Sequence, residues 1–266
     1  LLSELELLDH PDIINALFNA SLNIEETTEK PDAMLKFNKD DKDIEYYLFS
    51  GEKDEPLIFF CPAEYDTLKD IFDFGSGMKK NGFHVVTFAY NQNKEKPENI
   101  SGLFNLVEDI YTDFMDKKGK DEDKQFKQIF IMGRSFGASI ALNLGACHCK
   151  ELTGLIMESA FDKLDVFLNR QGIDFPEGKD VTNNKEKMKC YTKPVLFLHS
   201  SRDELQTLTE IEWLVLESRS KGTQFQIMPA PDRKHFLRLF EDTYLEFIKS
   251  FIWQKIGKRP KKRYSK

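Results

Sequence analysis

The chain is poor in the residues that would place it in several common classes. Only 4 of its 266 residues are cysteine, Cys61, Cys147, Cys149 and Cys190, too few for a disulfide framework. They suit a reducing compartment, and the expected location is cytoplasmic. No apolar run approaches the roughly 18 residues that a membrane-spanning helix needs. No internal repeat or low-complexity linker interrupts the sequence, which excludes a solenoid or a string of small modules. Metal ligands are scarce too. Cys147-His148-Cys149 is the one tempting cluster. Positions i and i+2 on a helix diverge and no second cluster exists, so no metal and no cofactor is expected. Two glycosylation-like triplets, Asn19-Ala20-Ser21 and Asn99-Ile100-Ser101, are read as accidental, given the cysteines. The chain starts at Leu1 rather than Met, which leaves open a preceding targeting segment.

What is present is a globular composition with an uneven charge. Hydrophobic residues make up 40% and Phe alone numbers 23, ample for a large core. The net charge is −7, yet the last twelve residues, Lys255 to Lys266, hold seven Lys/Arg and no acid. The other 254 carry 31 basic against 45 acidic side chains, a net −14. An acidic body of this kind is not a nucleic-acid-binding domain. Residues 1–254 are expected to form a single domain and 255–266 a basic tail suited to an acidic protein, RNA or an anionic surface.

Apolar runs rich in β-branched and aromatic residues alternate with amphipathic ones. A helix is expected over 7–22, with Pro11 in its first turn, and a hairpin from 34–38 and 43–50. Strands follow at 56–61, 82–90, 128–132, 152–158, 193–199 and 223–228, and helices near 67–80, 100–117, 138–144, 208–219 and 237–253. Continuous apolar strands separated by helices imply an α/β fold with a parallel sheet covered on both faces. Functional residues in such sheets collect at the carboxyl ends of the strands. The longest interval between strands, 159–193, is charged but carries Phe161, Phe167 and Phe175, and reads as a short cap over those ends.

Gly133-Arg134-Ser135-Phe136-Gly137 stands between an apolar strand and a helix of small residues. A serine between two glycines at a strand-to-helix turn is a nucleophile elbow: the tight turn lifts the hydroxyl above the sheet and frees the next N–H for an oxyanion. A serine hydroxyl needs a base to remove its proton, and the base needs an acid to orient it. Both belong after later strands. The turn after strand 193–199 supplies Asp203, with Glu204 a weaker choice. The loop after the last strand supplies His235. The other histidines, His10, His84, His148 and His199, lie on elements rather than in that loop. Ser135, His235 and Asp203 are therefore the candidate nucleophile, base and orienting acid.

Taken together, from about residue 45 to residue 253, these motifs resemble the α/β-hydrolase fold family. Gly133–Gly137 matches its elbow. His199-Ser200-Ser201-Arg202-Asp203 is similar to its acid-bearing strand end, Pro231–His235 to its histidine loop, and Leu155–Phe161 to the strand after the elbow helix. The nearest likeness is to small-cap serine esterases and thioesterases. It implies a mostly parallel twisted sheet with helices on both faces, and cleavage of an ester, thioester or amide through an acyl-enzyme.

The resemblance also implies an oxyanion hole made by the N–H groups of Phe136 and Ala63. Here the pattern departs. Relatives have His-Gly where this chain has Cys61-Pro62-Ala63-Glu64. Pro62 fixes φ near −65°, and Glu64 brings negative charge towards a developing oxyanion. The glycine-rich loop expected after the next strand is replaced by Tyr90-Asn91-Gln92-Asn93-Lys94. These departures keep a second reading in play: a weakly active or inactive hydrolase fold serving as a binding or scaffold subunit.

Overall fold

The hairpin that opens the sheet turns on two aspartates. β1 (Ala33–Lys39) pairs antiparallel with β2 (Lys42–Phe49), with Lys39 opposite Lys42. Asp40 and Asp41 between them have φ of 52° and 60°. Two successive positive φ values make the type I′ turn, whose twist suits a two-residue hairpin. The computed structural model describes residues 9–19, 27–91, 97, 99–118, 126–178, 182–218, 220, 222–228 and 242–257.

Six further strands complete one sheet: β3 (Leu57–Cys61), β4 (His84–Phe88), β5 (Ile129–Arg134), β6 (Gly154–Glu158), β7 (Val195–Ser200) and β8 (Gln224–Met228). Their order is β1-β2-β4-β3-β5-β6-β7-β8. Only the β1/β2 and β2/β4 pairs are antiparallel; the rest run parallel. The sheet is open, and its central strands are buried along their whole length.

Alternation within these strands shows both faces covered. Leu57, Phe59, Ile131, Leu155 and Phe197 belong to one buried cluster, and Ile58, Phe60, Met132, Ile156 and Leu196 to another. The first packs under α1 (Pro11–Leu17), α3 (Ile100–Lys118) and α4 (Phe136–Cys147); the second under α2 (Leu68–Lys80) and α8 (Asp242–Lys255). Two of these helices start as their sequences dictate. Pro11 occupies the first turn of α1, where its missing N–H costs nothing. Thr67 and Asp70 form a reciprocal capping box on α2. Among the described residues, 159–193 hold two short helices, α5 (Leu164–Arg170) and α6 (Asn184–Cys190), and α7 (Leu208–Glu217) follows β7.

Several expected boundaries move. The first helix, expected over 7–22, has only Pro11–Leu17 in helical form among the described residues. The strand expected over 82–90 is shortened to His84–Phe88; Gly82, at φ 91°, turns the chain just ahead of its start. Residues 237–241 of the last expected helix lie outside the described residues.

The chain reverses its direction of winding between β3 and β5. From β3 the next parallel strand, β4, lies to one side; from β5 the strands build outward to the other. Loops leaving β3 and β5 therefore diverge and open a crevice at the strand ends, the usual ligand position in an open α/β sheet. The segment after β3 is Pro62–Asp66 and the residue after β5 is Ser135.

Candidate active site

Ser135 follows β5 and caps the N-terminus of α4 with φ 53° and ψ −122°. That pair is open to glycine and closed to most side chains, and such strain gathers at functional sites. The neighbouring glycines are required by space. A Cβ on Gly133 would meet the Gly137 carbonyl oxygen at 2.3 Å, and one on Gly137 would meet the Pro62 oxygen at 2.1 Å. The elbow backbone thus lies directly against the loop that leaves β3.

Pro62–Asp66 is held from three sides. The Tyr90 hydroxyl donates to the Pro62 carbonyl at 2.8 Å. The Asp66 N–H donates to the Ala63 carbonyl at 3.1 Å, and the Ala63 N–H donates to Asp66 Oδ2 at 2.8 Å. Arg134 Nη1 then donates to both carboxylate oxygens of Asp66, at 3.1 and 3.0 Å. The Ala63 N–H, the expected second oxyanion donor, is committed to its own loop.

Glu64 projects from this turn to Ser135. The Ser135 hydroxyl donates to Glu64 Oε1 at 3.2 Å, and the Phe136 N–H donates to Glu64 Oε2 at 3.1 Å. Gln171, at the end of α5, also donates from Nε2 to Oε1 at 3.4 Å. Glu64 is 1% exposed. One carboxylate therefore bridges the candidate nucleophile and the first candidate oxyanion donor. Sequence reading noticed its charge and not this contact, because the contact depends on how the β3 loop folds onto α4.

Beneath the elbow lies a buried ion network with little sequence signal. Arg134 reaches Asp66 on one side, and its Nε lies 3.1 Å from Glu158 Oε2 on the other. The Tyr244 hydroxyl donates to Glu158 Oε2 at 2.6 Å. The guanidinium also sits over the rings of Phe60 and Phe74, 5.1 and 5.5 Å from their centroids. Burial pushes the Asp66 carboxyl up to about 6, against the pull of Arg134. The two carboxylates hold Arg134 well above its ordinary range in spite of burial. The only available signal was a charged residue ending each of two apolar strands, Arg134 on β5 and Glu158 on β6, which pair with each other in register.

Asp203 follows β7, the second strand beyond the elbow strand. Its Oδ1 accepts the N–H groups of Leu205 and Gln206, both at 2.9 Å, and its Oδ2 lies 3.6 Å from His199 Nε2. His199 in turn contacts the Gln206 carbonyl at 2.7 Å. His235, with the whole Pro231–His235 loop, lies outside the described residues. Ser135 and Phe136 both meet Glu64; the Ala63 N–H turns to Asp66 instead, and Asp203 stands two strands beyond β5 in the sheet order. His84 bonds the Gly51 N–H and the Glu52 carbonyl, His10 caps α1, and His148 ends α4 beside Glu108. Among the described residues no group of three metal-ligating side chains occurs.

A mostly parallel, eight-stranded open sheet with an elbow serine after β5 defines the class: the chain has the α/β-hydrolase fold. No protein-family model and no curated protein matches it. Solved structures share the architecture at low identity. The esterase Pf2001 of Pyrococcus furiosus is 14% identical, with 88% of this chain and 100% of that one aligned at a TM-score of 0.67. Est1E of Butyrivibrio proteoclasticus, with ferulic acid bound, is 15% identical over 84% of this chain and 100% of that one (TM-score 0.63). The 2,6-dihydroxy-pseudo-oxynicotine hydrolase is 17% identical over 85% of this chain and 69% of that one (TM-score 0.64).

Proposed function

We propose that the chain is a serine hydrolase that cleaves a small ester or thioester, with amides a further option, through an acyl-enzyme. Ser135 is the nucleophile, His235 the base, and Asp203 the acid that orients it. Phe136 supplies one oxyanion N–H and Ala63 the other once its bond to Asp66 is exchanged. No cofactor enters this chemistry. The observation that carries the reading is the strained backbone of Ser135 at the head of α4, because such a conformation is retained where it serves a reaction. The esterases among the structural neighbours, one of them with ferulic acid bound, support an ester-like small molecule as substrate. Residues 159–193 would act as the cap, within a single domain of residues 1–254. Free thiols at all four cysteines suit a reducing, cytoplasmic setting. The 255–266 tail would bind an acidic protein, RNA or an anionic surface.

A second reading, a weakly active or inactive hydrolase fold used as a scaffold, draws support from the Ala63 N–H bonded to Asp66 and from Glu64 on the nucleophile. A fluorophosphonate probe separates the two. Labelling of the native protein that disappears in Ser135→Ala is the result expected of the enzyme. An unlabelled but folded native protein favours the scaffold.

A further inference from the structure

We propose that Glu64 is an internal ligand of the site, a carboxylate that occupies the place of the acid product and closes the centre until it is displaced. This rests on the hydrolase reading for its consequence in turnover, but the occupancy itself is independent of catalysis. In an acyl transfer the reacting carbon bonds to the serine oxygen while its own oxygen sits on the N–H after the nucleophile. Glu64 has one oxygen on the Ser135 hydroxyl and the other on the Phe136 N–H. It spans the two contacts that a carboxylic acid leaving the site would make.

Two physical consequences follow. A hydroxyl has one proton, and the Ser135 hydroxyl donates to Glu64 Oε1, so the carboxylate competes with a base for it. The Phe136 N–H stands at the positive end of α4, where an anion is well placed, so an external oxyanion must compete with a tethered one. Substrate entry therefore requires the Glu64 side chain to swing away. A further contact, from Gln171 at the end of α5, ties that movement to the 159–193 segment. A ligand that shifts this segment loosens the latch. Substrates with anionic acyl groups near the carbonyl are disfavoured while Glu64 remains close.

The test uses acetate as an external carboxylate and the Phe136 amide as reporter, in full-length protein carrying ¹⁵N-Phe, with the Phe136 signal identified through Phe136→Leu. In Glu64→Ala and in the neutral isostere Glu64→Gln, the Phe136 amide is expected to move, and acetate is expected to shift it further in a saturable way in Glu64→Ala but not in native protein. An amide indifferent to both substitutions, acetate binding equal in native and Glu64→Ala protein, or no acetate response in either would overturn the proposal. Fluorophosphonate labelling of the same variants addresses turnover. Labelling at least about 10-fold faster in Glu64→Ala is expected, a fraction of the 10²–10³ that one oxyanion donor is worth. Labelling lost in both folded variants would make Glu64 the base and overturn the blocking role. No labelling in any form, with the acetate difference intact, would sink the hydrolase reading and leave Glu64 as the occupant.

Discussion

Arg134 and Asp66 form a two-pronged contact, Nη1 to Oδ1 at 3.1 Å and to Oδ2 at 3.0 Å, that joins the residue before Ser135 to the turn after β3. Both partners are buried. Arg134 is thus the pin between the two loops that frame the crevice, and Glu158 and Tyr244 anchor it from the other side.

Removing that pin leaves two buried carboxylates without their cation. Arg134→Leu is expected to lower stability by about 3–5 kcal/mol, the usual consequence of breaking a buried ion pair. Urea unfolding followed by circular dichroism measures it. Arg134→Lys keeps a charge but not the two-sided geometry and should fall between the variant and the native protein.

The strain at Ser135 makes a prediction with opposite signs for stability and activity. Ser135→Gly relieves a backbone conformation that glycine adopts freely, and should raise stability by about 1 kcal/mol. The same substitution removes fluorophosphonate labelling. A thermal melt showing no gain would mean that the lost hydrogen bond to Glu64 outweighs the relief.

Gly137→Ala tests the close approach of the elbow to the β3 loop. The new Cβ would lie 2.1 Å from the Pro62 oxygen and 2.4 Å from the Cys61 oxygen, both main chain. Separating these segments should destabilise the fold by about 1–3 kcal/mol and shift the Phe136 N–H from Glu64. Denaturant midpoints and the Phe136 amide position report the two effects separately.

Arg170 at the end of α5 holds Glu210 of α7 through Nη1 and Nη2, at 2.6 and 2.7 Å. Partial burial alone would raise the Glu210 carboxyl, but hydrogen bonds from Arg170 and Thr207 outweigh it and bring it to about 2, below its ordinary 4.5. A lowered carboxylate stabilises the fold above its unfolded value and stops doing so as pH falls through its folded one. Glu210→Gln should therefore be less stable than native at pH 7, by about 1 kcal/mol or less for a partly exposed pair. The gap should close between pH 4.5 and 2. Unfolding curves at a series of pH values would reveal a constant gap if the pair contributes nothing.

The β1–β2 turn is open to improvement. Asn and Gly fit the two positive-φ positions better than Asp40 and Asp41 do. The double substitution Asp40→Asn, Asp41→Gly should raise stability by about 0.5–1 kcal/mol with labelling at Ser135 unchanged, as read from melting temperature and probe kinetics.

Much of this molecule was legible along the chain. Hydrophobic continuity announced buried strands such as Ile129–Met132, and glycine on either side of Ser135 announced a turn too tight for side chains. These are local properties: a strand buried on both faces must be apolar throughout, and a backbone that touches another backbone must lack a Cβ. The position of Asp203 just after β7 was legible too, because the alternation of strands and helices places that turn at a strand end.

What the order of residues could not reveal is which side chains meet across the crevice. Glu64 is separated from Ser135 by 71 positions and Asp66 from Arg134 by 68, and no periodicity links such distant sites. The strands, the helices between them and the elbow turn could be read from local pattern, because each depends on residues close in the chain. That a carboxylate lies against Ser135 and that the Ala63 N–H turns to Asp66 emerges only once the chain is folded. Those outcomes depend on the approach of two loops that leave β3 and β5 at the point where the winding of the sheet reverses.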